Sequence, residues 1–305
     1  MFVDNASTDG SVDFVKEMFG GKSSLTIVQN SENLGFAEGN NVGMRLASGE
    51  YFVLLNNDTI VEKNWLLEIV RVMKSDLSVG AAQCKLISMN VHDLLDSAGG
   101  YIDRYGFPLE RGAQEEDFGQ YDNMNEIFYA KGAGLGIKRC VLNETGFFDK
   151  DYFLYFEETD LCWRIWLRGY RIVFAHSSVV YHFGFASNFE TKSRKNLKYD
   201  YLSTKNQIMM LLKNYEFLNL TKYVPTVVFL KILFDFATFR SSHFMRVRGL
   251  LYVIRNLDKI LIKRKNIQKN IRRIKDSALF EKKLFIPFSL KRIILQKKTQ
   301  KSIQR

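Results

Sequence analysis

The chain has 305 residues, 46% of them hydrophobic and 25% charged, with a formal net charge of +11. That length supports a sizeable buried core and one or two domains. Three cysteines, Cys84, Cys140 and Cys162, lack metal-ligand spacing and are too few for a disulfide framework, and three prolines exclude a proline-rich linker.

In chain order, Asn5 to Gly10 is rich in turn and cap formers, and Leu25 to Gln29 predicts a strand. Glu38 to Ala47 predicts a helix, with Gly49 available to end it. Tyr51 to Leu55 has the length and apolarity of a strand covered on both faces. It ends abruptly in Asn56-Asn57-Asp58. Ligands of open α/β sheets bind beyond the carboxyl ends of strands, and a carboxylate there suits a hard divalent ion with a diphosphate. A polar turn in which Asp58 caps a helix near Glu62 to Lys74 accounts for the same residues. A helix through Trp65, Ile69 and Val70 and a strand over Val79 to Ile87 follow. Residues 93 to 125 are polar and poorly periodic, an extended loop region with a hairpin near Ala98 to Leu109. Strands return near Ile127 to Ala130 and Leu135 to Lys138, and the alternation predicts a mostly parallel sheet flanked by helices.

The run Tyr152-Phe153-Leu154-Tyr155-Phe156 leads into Glu157-Glu158-Thr159-Asp160, which opens a helix ending near Gly169. Acids in a first turn favour the helix dipole, and Asp160 has the spacing to pair with Arg164. Three carboxylates behind an aromatic run also suit a pocket. His182 closes an apolar strand, Val179-Val180-Tyr181-His182, where a lone histidine is commonly a satisfied core or edge residue. His176 is read as structural, and His92 and His243 have no supporting context.

Charge is divided unevenly. Residues 189–305 hold 28 Lys plus Arg against 7 Asp plus Glu, whereas residues 1–188 hold 16 against 26. A boundary is therefore expected near residue 190, giving domains 1–190 and 191–305. Tyr223 to Phe239 is strongly apolar but contains Lys231 and Asp235 and is short for a membrane span. It is read as an interfacial or re-entrant helix. Arg246, Arg248, Arg255, Lys259 and Lys263-Arg264-Lys265, interleaved with leucine and isoleucine, make a basic amphipathic pattern suited to an anionic membrane surface. A solvated helical face with a basic tail is the plainer reading. No stacking module or recognised motif supports a nucleic-acid partner.

Val3-Asp4-Asn5-Ala6-Ser7-Thr8-Asp9-Gly10-Ser11, the stretch from Asn33 to Asp58, Gly132-Ala133-Gly134, Gly146-Phe147-Phe148-Asp149 and Phe153 to Leu161 together resemble the nucleotide-sugar domain of family 2 glycosyltransferases. The resemblance covers roughly residues 1 to 190 and is nearest the rhamnosyltransferase-like branch. It implies a GT-A fold, here with a basic, mainly helical C-terminal extension. It further implies an inverting transfer from a nucleotide-diphosphate sugar, by branch TDP-rhamnose, to a glycan or polyprenyl-linked acceptor in surface polysaccharide synthesis at the cytoplasmic face of the cell membrane. By motif alignment Glu158 is the general base, with Glu157 the alternative and Asp160 orienting the acceptor or Arg164. Asp58 and His182 are the implied ligands of Mn2+ or Mg2+. Asp4 and Asn5 are the implied base readers, and Asn33, Gly35, Asn40 and Asn57 shape the donor loops. Relatives open with a further strand and helix before the segment at Met1. Without an interior strand, neighbouring backbone groups are unpaired, so this chain alone is expected to be poorly stable and weakly active or inactive. The alternative is an impaired remnant that binds membrane or a partner glycosyltransferase. The enzyme reading requires Asp58 and Glu158 to share one cleft.

Overall fold

The structure, a computed structural model, describes residues 1–91, 93–123, 126–183, 192–237, 244–282 and 284–287. His92, His243 and residues 238 and 239 of the predicted interfacial helix lie outside them.

Strand β1 (Phe2–Asp4) pairs in parallel with β2 (Ile27–Gln29), and helix α1 (Ser11–Phe19) connects them. Helix α2 (Gly35–Leu46) lies close on β1 because two of its positions carry no side chain. A Cβ at Gly43 would come within 2.9 Å of Val3, and one at Gly39 within 3.0 Å of Asn5.

A second, six-stranded sheet begins with β3 (Tyr51–Leu55) and β4 (Thr59–Val61) and continues, after helix α3 (Trp65–Ser75), with β5 (Val79–Ser88) and β6 (Leu95–Ser97). Beyond it β7 (Gly100–Asp103) and β8 (Pro108–Glu110) form the expected hairpin. The large sheet is completed by β9 (Gly134–Lys138) and, after helices α4 (Arg139–Thr145) and α5 (Glu157–Arg168), by β10 (Arg171–His182). Its order is β3-β9-β5-β10-β4, with β6 on β5. The α/β class with flanking helices and a helical C-terminal part is borne out. The mostly parallel sheet is not: β9 runs antiparallel to both its neighbours, and β4 antiparallel to β10. Ile127 to Ala130 forms no strand; Tyr129 makes an isolated bridge to Gly100.

Side chains alternate between the faces of this sheet, as a pleat requires. Phe52, Leu54, Ala81, Leu135, Ile137, Ile172 and Phe174 point to the face covered by α5. Ala82, Cys84, Val173 and Ala175 point to the face where α3 inserts Ile69 and Met73.

The C-terminal part consists of α6 (Lys192–Asn214), α7 (Phe217–Ala237), α8 (Met245–Arg255), α9 (Leu257–Asn266), α10 (Asp276–Glu281) and the short strand β11 (Phe285–Ile286) on β7. Residue 190 divides composition but not packing. Met209, Met210, Leu211, Tyr215, Val253 and Ile260 belong to the same core as Trp163 and Phe128. The Trp163 ring meets Tyr215 edge-on at 4.8 Å. Three of the seven basic residues are more internal than an amphipathic reading predicts, whereas Arg248, Arg255, Lys259 and Lys265 are exposed. Arg246 pairs with Asp235 and Asp200, Lys263 with Asp149 and Asp151, and Arg264 caps the Leu212 and Tyr215 carbonyls. Helix α7 is longer than its apolar run. Its span Phe217–Phe236 is long and apolar enough to cross a membrane, and 17% of that window is buried.

Candidate active site

The turn Asn56–Asp58 links β3 to β4, and the pairing of β4 with the end of β10 sets Thr59 opposite His182. Asp58 is thus delivered beside the imidazole, its Oδ1 lying 3.4 Å from His182 Nε2. The other ring nitrogen, Nδ1, is 3.0 Å from Asp96 Oδ2 on β6. Both His182 and Asp96 are buried, while the Asp58 carboxylate keeps 37% of its exposure and Asn57 is exposed. A carboxylate on one nitrogen fixes the tautomer and turns the other nitrogen outward. Burial raises the Asp96 pKa, but His182 and Lys131 outweigh it and hold the group below its ordinary value.

Lys131 continues the chain of contacts. Its ammonium lies 3.0 Å from Asp96 and 3.3 Å from Glu110, and its backbone N–H donates to Gln83 at 2.7 Å. The next N–H, of Gly132, donates to Glu158 Oε1 at 3.0 Å. Glycine is needed there, since a Cβ would sit 3.0 Å from that oxygen and 2.3 Å from the Phe36 ring. The sequence-predicted metal and base positions are therefore linked by a run of contacts through His182, Asp96, Lys131 and Gly132.

The three acids of α5 separate sharply. Glu158 stays partly exposed. Burial raises its pKa, the Gly132 N–H and Lys131 pull it back in part, and Glu110 adds to the rise. Glu157 is buried, its pKa is raised well above the ordinary value by burial and then by Glu158, and its Oε2 has no partner among the described residues. Asp160 is fully enclosed and accepts from Tyr152 Oη, Arg164 Nε and Asn214 Nδ2, with Lys213 Nζ at 3.0 Å. An acceptor cannot reach it. Of the two roles expected for it, the structure shows the pairing with Arg164, which caps the carbonyls of Thr145, Gly146 and Phe147, while its enclosure removes the role of orienting an acceptor and with it the catalytic placement.

Asp4, Asn5, Asn33, Gly35 and Asn40 form a neighbouring cluster. The Asn5 amide accepts from Asn30 and the Leu34 N–H, and donates to the Gly35 carbonyl and Asn33. Asp4 is buried and accepts from the Ser7 N–H, and Asn40 donates to the Phe36 carbonyl. These side chains tie the end of β1 to the start of α2. Phe36, one residue on, packs at Gly132 and so joins the cluster to Glu158.

A sequence model described as "Glycosyl transferase family 2" matches residues 1–100, and one described as "Glycosyl transferase family group 2" matches residues 51–254. The chain belongs to glycosyl transferase family group 2. This glycosyltransferase is 22% identical over 153 residues to the low-salt glycan biosynthesis hexosyltransferase Agl10 of Haloferax volcanii, a match covering 45% of each chain. It is 28% identical over 74 residues to an uncharacterized glycosyltransferase of Haemophilus influenzae, covering 24% of this chain and 23% of that one. The chain thus spans less than half the length of the curated relatives it matches. Among solved structures, the mannosyltransferase PcManGT of Pyrobaculum calidifontis, in complex with GDP-Man and Mn2+, shares 17% identity. That match covers 87% of this chain and 74% of the other, with a TM-score of 0.47.

Four side chains of the candidate site carry no clear signal in the sequence. Asp96 and Glu110 fall in the polar, poorly periodic stretch, Gln83 is, with Lys85, a polar side chain inside an apolar strand, and Lys131 adjoins Gly132-Ala133-Gly134. The available signal was a carboxylate directly after Leu94-Leu95. Among the described residues no group of three or more ligating side chains could hold a metal by itself. Asp58 and the oriented His182 nonetheless offer two ligands, and magnesium-like ions commonly take one or two side chains, with water and substrate phosphate completing the shell. The pair fits Mn2+ or Mg2+ bound together with a diphosphate, and the imidazole favours Mn2+.

Proposed function

We propose that this glycosyltransferase moves a hexose from a nucleotide-diphosphate donor to a hydroxyl of a glycan or polyprenyl-linked acceptor, with inversion. The observation that carries the reading is the unbroken run of contacts from Asp58 through His182, Asp96, Lys131 and Gly132 to Glu158. Glu158, oriented by the Gly132 N–H, takes the acceptor proton as the acceptor oxygen forms its bond to the anomeric carbon and the bond to the diphosphate breaks. Asp58 and His182 would hold a divalent ion, which would supply positive charge for the leaving diphosphate. The cluster at Asn5 and Gly35 borders the donor cleft, and branch resemblance makes TDP-rhamnose the first donor to try.

The C-terminal helices supply a reading of location. Phe229, Leu233 and Phe236 on α7 and Ile254 and Ile262 on α8 and α9 are exposed, with Arg248, Arg255 and Lys259 exposed among them. An apolar face flanked by cations suits the anionic cytoplasmic leaflet, and a lipid-linked acceptor would be met there. The test is donor hydrolysis by the full chain with Mn2+ across TDP-, UDP- and GDP-sugars. Release of nucleotide diphosphate from one of them is expected. No release from any, with or without added lipid acceptor, overturns the assignment. Flotation with anionic but not neutral liposomes checks the membrane part.

A further inference from the structure

The segment that carries Glu158 is held in a conformation its own residues disfavour. Phe153 has φ 64° and ψ −59°, and the Leu154 N–H donates to the Tyr152 carbonyl at 2.7 Å. That is a γ-turn of the rare, strained hand. Tyr155 and Phe156 follow with φ 72° and 71°. Three aromatic side chains thus occupy the left-handed region, where a Cβ crowds the backbone. Such geometry persists only where the surroundings over-determine it.

The restraint comes from α6. Asn206 is fully buried, and its amide nitrogen lies 3.1 Å from the Tyr152 carbonyl, 2.9 Å from that of Leu154 and 2.7 Å from that of Tyr155. Its Oδ1 has no partner among the described residues, so the side chain is committed to this one task. Next to it Lys205 donates to the Asp151 carbonyl. The remaining carbonyl, of Phe153, accepts from the N–H of Phe36, which packs at Gly132 beside Glu158.

We propose that Asn206 is a positioning residue for Glu158: by gathering three carbonyls it locks the strained turn that aims the base at the Gly132 N–H and the cleft. The proposal rests on the transferase reading for its catalytic consequence but not for its structural one.

The test uses the full chain as wild type, Asn206→Ala, Tyr155→Gly and the Asn206→Ala/Tyr155→Gly double variant. Glycine occupies φ 72° without crowding, so it lowers the cost that Asn206 offsets. Amide hydrogen exchange across residues 152–160 is expected to quicken about tenfold or more in Asn206→Ala while β5 keeps its protection. Turnover with the donor identified in the hydrolysis screen should drop roughly 100-fold at unchanged donor KM, because a small misplacement of the base is felt in the chemical step. The double variant should recover part of both. Unchanged exchange over 152–160 in Asn206→Ala overturns the proposal. So does loss of protection that spreads to β5 and is not relieved by Tyr155→Gly, since Asn206 would then be core packing only. If no donor turns over even in wild type, the transferase reading fails, yet the exchange measurements still decide whether Asn206 holds the turn.

Discussion

Glu158 and Asp160 are two residues apart on one helix and live under opposite rules. Beneath α5, Asp160 and Asp149 face Lys213, Lys263, Arg164, Tyr152 and Asn214, and their oxygens are taken up. On its other side, Glu158 accepts from the Gly132 N–H and Asp58 meets the His182 ring at 3.4 Å, and both are partly exposed. The comparison separates carboxylates that build the fold from carboxylates left with the capacity to act. A buried charge must be saturated with partners to be tolerated, and once saturated it has nothing left to offer a substrate. Spare hydrogen-bonding capacity at the edge of a cleft is what chemistry needs.

The sharpest way to break this contrast is to remove each kind in turn. Glu158→Gln and Asp58→Asn are expected to lower turnover by about 10³-fold, in the range general-base and charge-stabilising groups supply, while leaving thermal unfolding close to wild type. Comparing nucleotide release with the melting curve checks both halves, and an active Glu158→Gln would reassign the base. Asp160→Asn should do the reverse first. It leaves the Lys213 and Arg164 charges short of a buried partner, at a cost of about 3–5 kcal/mol in urea unfolding, and activity falls only because the fold does.

The floor network also has a pH signature. Burial raises the Asp149 pKa, but Lys213 and Lys263 outweigh it and hold the group well below the ordinary carboxylate range. Asp160 is lowered in the same way against its burial, by Lys213 and Arg164. A carboxylate depressed by folding stabilises fully above its unfolded pKa of about 4 and loses that contribution as pH falls toward the folded value. Stability in urea should therefore hold at neutral pH and decline below about pH 4, less steeply in Asp149→Asn than in wild type.

How far the sequence foretold this division depends on what each residue's neighbours reveal. Strand β3 and its Asn-Asn-Asp ending were legible because an apolar run and a polar stop are local facts. Helix α5 and its acids were legible for the same reason. The pairing of Asp160 with Arg164 was legible from spacing, but its enclosure was not, because three further partners, Tyr152, Lys213 and Asn214, come from outside the helix, two of them more than 50 residues away. Strand direction was equally hidden: Gly134 to Lys138 reads as a strand either way, and only its partners make it antiparallel. Arg246 and Lys263 read as surface cations in the sequence because their partners Asp149, Asp151, Asp200 and Asp235 lie on other elements.

Asp96 sharpens the contrast from the middle, since it is buried like the floor carboxylates yet serves the cleft. Asp96→Asn removes the charge that orients His182 and partners Lys131. Mn2+ affinity measured in the absence of any donor should weaken about tenfold or more, as loss of a partner behind a ligating histidine does. Unaltered affinity would leave His182 outside the ion's reach.

The smallest effects are the most discriminating, because two neighbours of Glu158 pull its ionisation in opposite directions. Burial raises its pKa, Lys131 lowers it and Glu110 raises it. A general base works only when deprotonated, so the acid limb of the kcat/KM profile should lie above the ordinary carboxylate range. Glu110→Gln removes a negative charge and frees Lys131 from one of its partners, so the limb should move to lower pH. Lys131→Met removes the positive charge and should move it to higher pH. Neither residue needs to touch the acceptor for this to occur, since a charge acts through the low-dielectric wall of the cleft. Opposite displacements would identify Glu158 as the titrating base, whereas a limb that ignores both substitutions would place the base elsewhere.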